Sequence, residues 1–291
     1  MAELNGIICV NKPSGFTSFD VIAKLRGILK FRKLGHAGTL DPLATGVLPI
    51  FAGKAAKACN LMPNDDKAYE AGFRLGIETD TLDITGTVKK SISDFNVSAE
   101  LINDTLPEFT GNISQLPPMY SAVSVGGVKL YKLARKGIEV ERVPRPVRVY
   151  ELSLLSYDGS AEGVLRISCS KGTYVRTIIS DIGEKLGCGA VMTSLIRTKA
   201  CGFTLSDCVT LEELEKNGAE KYIIPIDTLF TELPEIRLHA ELEKKYRNGV
   251  RTEMRNTKSE SGRYRVYGAD GMFIGIAAMV NNELRVEKNL C

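Results

Sequence analysis

The sequence is short of the residues that several kinds of chemistry need. It has only two histidines, His36 and His239, which argues against a multi-histidine metal site or a histidine-based catalytic triad. Its seven cysteines are an odd number and include no C-x-x-C pair. Cys201 and Cys208 are also too far apart for a zinc knuckle. With no signal peptide at the start, these thiols are expected to be reduced, as in a cytoplasmic protein. No apolar run approaches the roughly 20 residues of a membrane span. There is no internal repeat and no low-complexity tract. The net charge of +3 is too small to point to a polyanion partner by itself.

What is there is ordinary globular material: 44% hydrophobic and 25% charged residues in 291, enough for a sizeable core and, at roughly 150 residues per domain, about two domains. The positive charge is unevenly spread. Gly126 to Tyr150 holds Lys129, Lys132, Arg135, Lys136, Arg142, Arg145 and Arg148 against Glu139 and Glu141. Lys244 to Arg265 holds eight basic residues against Glu253 and Glu260. Such stretches are either solvated surface or the footprint of a polyanion site.

Apolar spacing predicts the elements. Gly6 to Val10 reads as a strand and Asn11 to Gly15 as a turn. A helix follows, capped by Thr17 or Ser18, with Val21, Ile22, Leu25, Ile28 and Leu29 on one face. Val47 to Phe51 and Lys67 to Ile77 read as strands. Ser98 to Phe109 reads as a helix with Leu101, Ile102, Leu106 and Phe109 inward. Val164 to Ser170 and Val191 to Arg197 read as strands around a helix from Arg176 to Leu186, closed by Gly187. Thr210 to Glu213 is a capping box opening another helix. After Pro234 come a short helix near Ala240 to Asn248 and strands at Tyr264–Tyr267, Phe273–Val280 and Leu284–Val286, divided by Asp270-Gly271 and Asn281-Asn282 turns.

The segment Gly35-His-Ala-Gly-Thr-Leu-Asp-Pro-Leu-Ala-Thr-Gly46 stands out. Three glycines bracket a single acid, and Pro42 pushes Asp41 out of the α region toward an extended or turn geometry. Asp-Pro alone is a common turn opener. In its full context, however, the loop resembles the catalytic motif of the TruB family, the bacterial tRNA pseudouridine-55 synthases. Other blocks resemble that family in the same order: Asn11 to Gly15, Lys67 to Tyr69, Leu75-Gly76, Thr79 to Asp83, Gln115 to Ala122 and Ser170 to Ile179. Lys129 to Gly137 resembles the family's RNA-gripping thumb. The specific motifs cover residues 4–230. The last 55 or so residues resemble, more loosely, a PUA domain, an RNA-binding β-barrel.

The resemblance implies an isomerase. The N1–C1′ bond of a uridine breaks, the base turns, and C5 joins C1′, so no redox cofactor or energy source is required and no metal is implied. Asp41 is the implied nucleophile, since a carboxylate can form and release an adduct; whether attack falls on C1′, on C6, or is bypassed by a glycal route does not follow. Arg176 is the implied ion-pair partner that keeps Asp41 ionised and aimed. Tyr69 is implied to lie against the target base and help remove the C5 proton. Tyr174 and Leu195 are implied pocket residues, Tyr174 projecting to the same side as Arg176 if that stretch is extended. His36 is implied to fill the place of the extruded nucleotide. Lys12, Lys171 and Asp83 are implied supporting contacts, and Lys129, Lys132, Arg135 and Lys136 phosphate contacts. Ala37 stands where many relatives carry threonine, and the C-terminal region is short.

The expectation is therefore an α/β (α+β) protein. A mixed-sheet catalytic domain at 1–232, with a thumb-like insertion near 124–150, precedes a PUA-like domain at 233–291. It would act on the T arm and loop of tRNA as a cytoplasmic monomer. Two rivals share the surface: a guide-RNA-dependent pseudouridine synthase, and a tRNA-folding chaperone in which Asp41 is idle.

Overall fold

A computed structural model of the chain describes residues 4–62, 65–254 and 260–290. Arg255 and Lys258 of the second basic stretch fall outside them. The chain folds into two compact units: one comprises 1–41, 47–64 and 201–291, the other 42–46 and 65–200.

The first unit opens with β1 (Gly6–Lys12), which is buried over its first five residues. Helix α1 (Ser18–Leu29) follows, and Thr17 is its N-cap. Thr17 and Asp20 form a reciprocal capping box in which each side chain satisfies the other's backbone N–H, and this fixes where the helix begins. Val21, Ile22 and Leu25 form its buried face. Strand β2 (Leu34–His36) pairs antiparallel with the later part of β3 (Thr45–Ala52), His36 opposite Ile50. The loop carrying Asp41 joins these two strands.

The second unit is built on a mixed sheet. Its strands are β4 (Lys67–Leu75), β7 (Gly111–Gln115), β10 (Arg145–Tyr157), β11 (Glu162–Cys169) and β12 (Ala190–Ala200), in the order β12-β4-β11-β10-β7. The first two residues of β3 pair parallel with Ile196 and Arg197 of β12; the other neighbours are antiparallel. Two small hairpins, β5 (Ile77–Thr79) with β6 (Val88–Ser91) and β8 (Ser124–Val125) with β9 (Val128–Lys129), stand off this sheet. Helices α2 (Ala99–Thr105) and α4 (Val175–Lys185) cover one face, where Phe73, Leu75 and Leu165 meet Ile102, Ile179 and Ile182. The other face carries Glu70, Arg74 and Arg166 to solvent, as an antiparallel sheet allows. Helix α3 (Leu130–Ala134) follows the β8–β9 hairpin.

The helix expected over Ser98–Phe109 turns into a 3₁₀ turn at Leu106, because Pro107 has no N–H to continue an α-helical ladder. Ile102, Thr105 and Leu106 form the buried face, and Leu101, expected inward, is 45% exposed. β10 was not anticipated. Its Pro146 and exposed arginines mask Val147 and Val149, which face inward.

Back in the first unit, β13 (Phe203–Thr204) precedes α5 (Leu211–Asn217), opened by the expected Thr210–Glu213 capping box. The backbone around Val209 and Ile224 then bonds alongside β1. Helix α6 (Ala240–Arg247) accompanies a five-stranded sheet of β14 (Glu235–Arg237), β15 (Thr252–Glu253), β16 (Gly262–Tyr267), β17 (Phe273–Val280) and β18 (Glu283–Asn289), in the order β14-β16-β17-β18-β15. Its core gathers Leu238, Tyr246, Val266, Ile274, Met279 and Leu284. The Tyr246 hydroxyl lies 3.1 Å from the carbonyls of both Ile276 and Lys288. This small sheet is the PUA-like part of the fold.

Candidate active site

Asp41 is half-buried in the first unit, in the loop after β2. The backbone of the residue before it is held by one side chain. Ser18, the first residue of α1, accepts the Leu40 N–H at 2.9 Å and lies 3.3 Å from the Leu40 carbonyl. Ser18 is 2% exposed, so this is a buried tether rather than a surface contact. Ahead of it, Ala37 N–H bonds the Pro49 carbonyl at 3.1 Å and extends the β2–β3 ladder, and Gly38 takes φ +76°. His36 ends β2 and is half-buried.

Lys12 is one of the expected supporting contacts. It is fully buried at the end of β1, and its ammonium donates to the carbonyls of Pro13 at 2.9 Å and Phe16 at 2.5 Å. It braces the turn that leads into α1.

In the second unit the loop's far end is fixed at Gly46. This residue has φ +101°, and a Cβ there would lie 2.3 Å from the Arg197 carbonyl oxygen. Only glycine fits so close an approach of two backbones.

Arg176 is in the first turn of α4 and is 5% exposed. A cation there opposes the helix dipole, and burial adds a desolvation cost. Both are offset by named acceptors. Nη1 donates to the Thr81 carbonyl at 2.7 Å and Nη2 to the Tyr120 carbonyl at 2.9 Å. The Asp83 carboxylate lies 3.9 Å from Nη1. A guanidinium held at both ends by carbonyls has a fixed direction.

Asp83, like Lys12, has bonds within the protein. It is 6% exposed, and its Oδ1 accepts bonds from Thr81 Oγ1, Thr85 N–H and Thr85 Oγ1 at 2.9, 3.0 and 2.5 Å. Leu82 takes a left-handed φ of +62° between Thr81 and Asp83, a strained geometry for a branched residue that only a well-tied turn keeps. The turn is tied to β12 by bonds from Met192 N–H to Leu82 O and from Ile84 N–H to Met192 O.

Tyr69 sits in β4 opposite Ile167 of β11 and Arg197 of β12, and is 6% exposed. Leu195, paired with Ala71, is its diagonal neighbour on the same face. The structure thus brings Tyr69, Leu195 and Arg197 together. Tyr174 is the N-cap of α4, in extended conformation, whereas Arg176 is helical. The two do not share one side as an extended stretch would give, because the helix begins between them. Lys171 is exposed in the preceding loop. Lys129, Lys132, Arg135 and Lys136 are exposed on the β9–α3 segment. Lys129 reaches the Ala122 carbonyl at 2.8 Å, and Arg135 lies over the Tyr131 ring.

Sequence reasoning did not single out Ser18 as a tether, Arg197, Gln115, or the carbonyls of Thr81 and Tyr120. Arg197 is fully buried opposite Tyr69. A lone arginine ending an apolar strand segment was its only signal. Among the described residues no group of three or more His, Cys, Asp or Glu side chains is placed to hold a metal ion. No described helix is long and apolar enough to cross a membrane.

Family models match almost the whole chain. The N-terminal domain model of the TruB family pseudouridylate synthases matches residues 26–175, a tRNA pseudouridylate synthase B C-terminal domain model matches 176–231, and a pseudouridine synthase II TruB C-terminal model matches 234–288. The chain is 41% identical over 288 residues to tRNA pseudouridine synthase B of Clostridium kluyveri, covering 98% of this chain and 99% of that one. It is 45% identical over 265 residues to the protein of the same name from Lactobacillus johnsonii, covering 87% and 89%. Among solved structures, a Cbf5-Nop10-Gar1 complex has a chain of the same fold, with TM-score 0.71, 24% identity, and coverage of 99% of this chain and 85% of that one. The chain belongs to the TruB family of pseudouridylate synthases.

Proposed function

We propose that this protein converts the T-loop uridine at position 55 of tRNA to pseudouridine, with Asp41 as the nucleophile. Family membership over nearly the full length supports the reaction. The observation that carries the site is Arg176, a buried cation aimed by two carbonyls and Asp83. A buried arginine held in one direction at a helix start is a candidate for a charge used in function.

The chemistry is redox-neutral. The uridine is drawn out of its stack, as enzymes acting on single bases require. With Asp41 ionised, the N1–C1′ bond breaks, the base turns, and C5 bonds to C1′. The C5 proton leaves and N1 gains one, so substrate and product are isomers. Arg176 keeps Asp41 in its charged form, Tyr69 lies against the base and helps take the C5 proton, and Tyr174 and Leu195 line the pocket. His36 occupies the place the base leaves. The exposed cations Lys129, Lys132, Arg135 and Lys136 hold phosphates, and Lys12, Lys171 and Asp83 are supporting contacts. No cofactor or metal enters this scheme. The catalytic domain is read as 1–232 and the PUA-like RNA-binding domain as 233–291, in a cytoplasmic monomer.

The test is tritium release from unmodified tRNA labelled at uridine C5. Wild type releases about one label per tRNA, while Asp41→Asn keeps tRNA binding and turns over at no more than roughly a thousandth of the wild-type rate, at least about 4 kcal/mol of lost transition-state stabilisation. Near-normal turnover by Asp41→Asn would refute the mechanism. Wild-type inactivity on naked tRNA that still binds would favour a guide-dependent enzyme or a folding chaperone.

Charge reversal at Lys132 and Arg135 weakens tRNA binding more than the chemical step and flattens the salt dependence, because each lost phosphate contact reduces counterion release. A binding constant indifferent to salt in the wild type would overturn the phosphate reading.

A further inference from the structure

Helix α4 has an unusual start. Its N-cap residue, Tyr174, makes no side-chain capping bond, although the first N–H groups of a helix need partners. A side chain from a distant strand supplies the missing order. Gln115, the last residue of β7, is 3% exposed. Its Oε1 accepts the Tyr174 N–H at 2.7 Å, and its Nε2 donates to the Tyr174 carbonyl at 3.0 Å. The amide's orientation is forced, since a backbone N–H only donates and a carbonyl only accepts. One side chain thus imitates a rung of β-ladder across 59 residues of sequence.

The clamp has a stiff base. Gln115 pairs through its backbone with Arg145 of β10. The chain then runs through Pro117 and Pro118 to Tyr120, whose carbonyl receives Arg176 Nη2. The segment 115–120 therefore grips the start of α4 twice: at the backbone of Tyr174, and at the guanidinium two residues later. Arg142 also donates to the Pro117 carbonyl at 3.0 Å, tying the far end of the thumb-like insertion to the same segment.

We propose that Gln115 is a positioning residue for pseudouridine formation. It fixes the backbone of Tyr174, so that α4 begins in the one register that delivers Arg176 to its carbonyls and sets the Tyr174 ring. This rests on the functional reading above. Gln115 touches no substrate and acts through Tyr174 and Arg176. The role needs an acceptor and a donor on one planar group of this length. Leucine offers neither, asparagine is a methylene short, and a glutamate carboxylate accepts but cannot donate. A protonated glutamic acid does both, and burial against a carbonyl raises the pH at which it protonates.

That last property makes the test specific. Single-turnover pseudouridine formation is measured with saturating enzyme for wild type, Gln115→Leu and Gln115→Glu from pH 5.5 to 8.5, with tRNA binding measured in parallel. Gln115→Leu is expected to lose about 10- to 100-fold in rate, the scale of a displacement near 1 Å at a reacting group, with tRNA affinity within about threefold. Gln115→Glu is expected to be similarly slow at pH 8 and to approach wild type as pH falls, read as the ratio of variant to wild-type rate. Amide exchange at Tyr174 should quicken at least about tenfold in Gln115→Leu while the amides of β11 stay protected. Rates within twofold of wild type for both variants, or a Gln115→Glu ratio flat with pH, would overturn the proposal. If Gln115→Leu does not fold, the Gln115→Glu ratio decides alone. Wild-type inactivity on tRNA would instead overturn the functional reading, and the positioning role with it.

Discussion

The Asp41 loop and the Arg176 brace are ordered by different means. The loop is shaped largely by close main-chain approach: Gly38 and Gly46 take positive φ and Gly46 lies against the Arg197 backbone, with one side chain, Ser18, bonding both polar backbone groups of Leu40. The brace depends on side-chain hydrogen bonding: Arg176 donates to the carbonyls of Thr81 and Tyr120, and Asp83, Thr81, Thr85 and Gln115 each satisfy a donor or acceptor around it. A main-chain device fixes position through sterics and tolerates no added atom. A side-chain device fixes direction and charge, and is sensitive to which atoms donate.

Gly46→Ala is expected to break the first kind of order most severely. The new Cβ would meet the Arg197 carbonyl oxygen at 2.3 Å and its nitrogen at 2.9 Å, both backbone atoms that cannot rotate aside. With a disfavoured φ added, a loss of about 3 kcal/mol or more follows, visible as a lower urea midpoint. An unchanged midpoint would mean that the loop and β12 separate easily, and that the contrast drawn here is wrong.

Asp83→Asn probes the second kind at nearly constant shape. The amide oxygen can still accept from Thr85, but the amide nitrogen then faces Arg176 with donors opposed. About 1–2 kcal/mol of stability should go, and the chemical rate should fall roughly 10- to 100-fold as the guanidinium loses its direction. Urea melts and single-turnover rates check both halves. A stability loss with no rate loss would make Asp83 a structural residue only.

The same contrast explains what could be read in the sequence. The Asp41 loop is local, so its glycines, Pro42 and Asp41 lie in one dense run. The helix start at Thr17 or Ser18, the Thr210–Glu213 capping box, and the Asn281-Asn282 turn with φ of 51° and 59° are equally local and were legible, although only the structure shows that Thr17 is the cap and that Asp20 completes a box with it. The brace joins Arg176 to residues 56 and 95 positions away. Thr81, Gln115 and Tyr120 lie in blocks that carry the resemblance, but nothing local marks what they bond. Their partners exist only after the sheet has formed, and two of the three contribute a carbonyl that no side-chain pattern can advertise. β10 was hidden for a related reason: its outward residues are charged, so Arg145 and Arg148 read as part of a basic stretch before Val147 and Val149 could read as a strand.

The smallest expected effect lies on the same helix as Arg176. Asp181 is half-buried on α4, and that burial, with Glu184 adding to it, pushes its carboxyl up to about 6 from an ordinary 3.8. Arg176 is a buried charge met by acceptors; Asp181 is a half-buried group whose charged form the fold disfavours. The folded state holds the Asp181 proton more tightly than the unfolded chain does. Stability from this group is therefore fully present below about pH 4 and is lost as pH rises through about 6. Asp181→Asn removes the ionisable group, so it should stabilise the protein relative to wild type at pH 7–8. The advantage should fade toward pH 4. Because the group is partly solvated, the gain is kept below about 1 kcal/mol, or roughly 2 °C in Tm. Paired thermal melts across that pH range decide it. A difference between the two proteins that does not change between pH 4 and pH 8 would show that Asp181 titrates normally, and that α4 accommodates its acid as readily as its arginine.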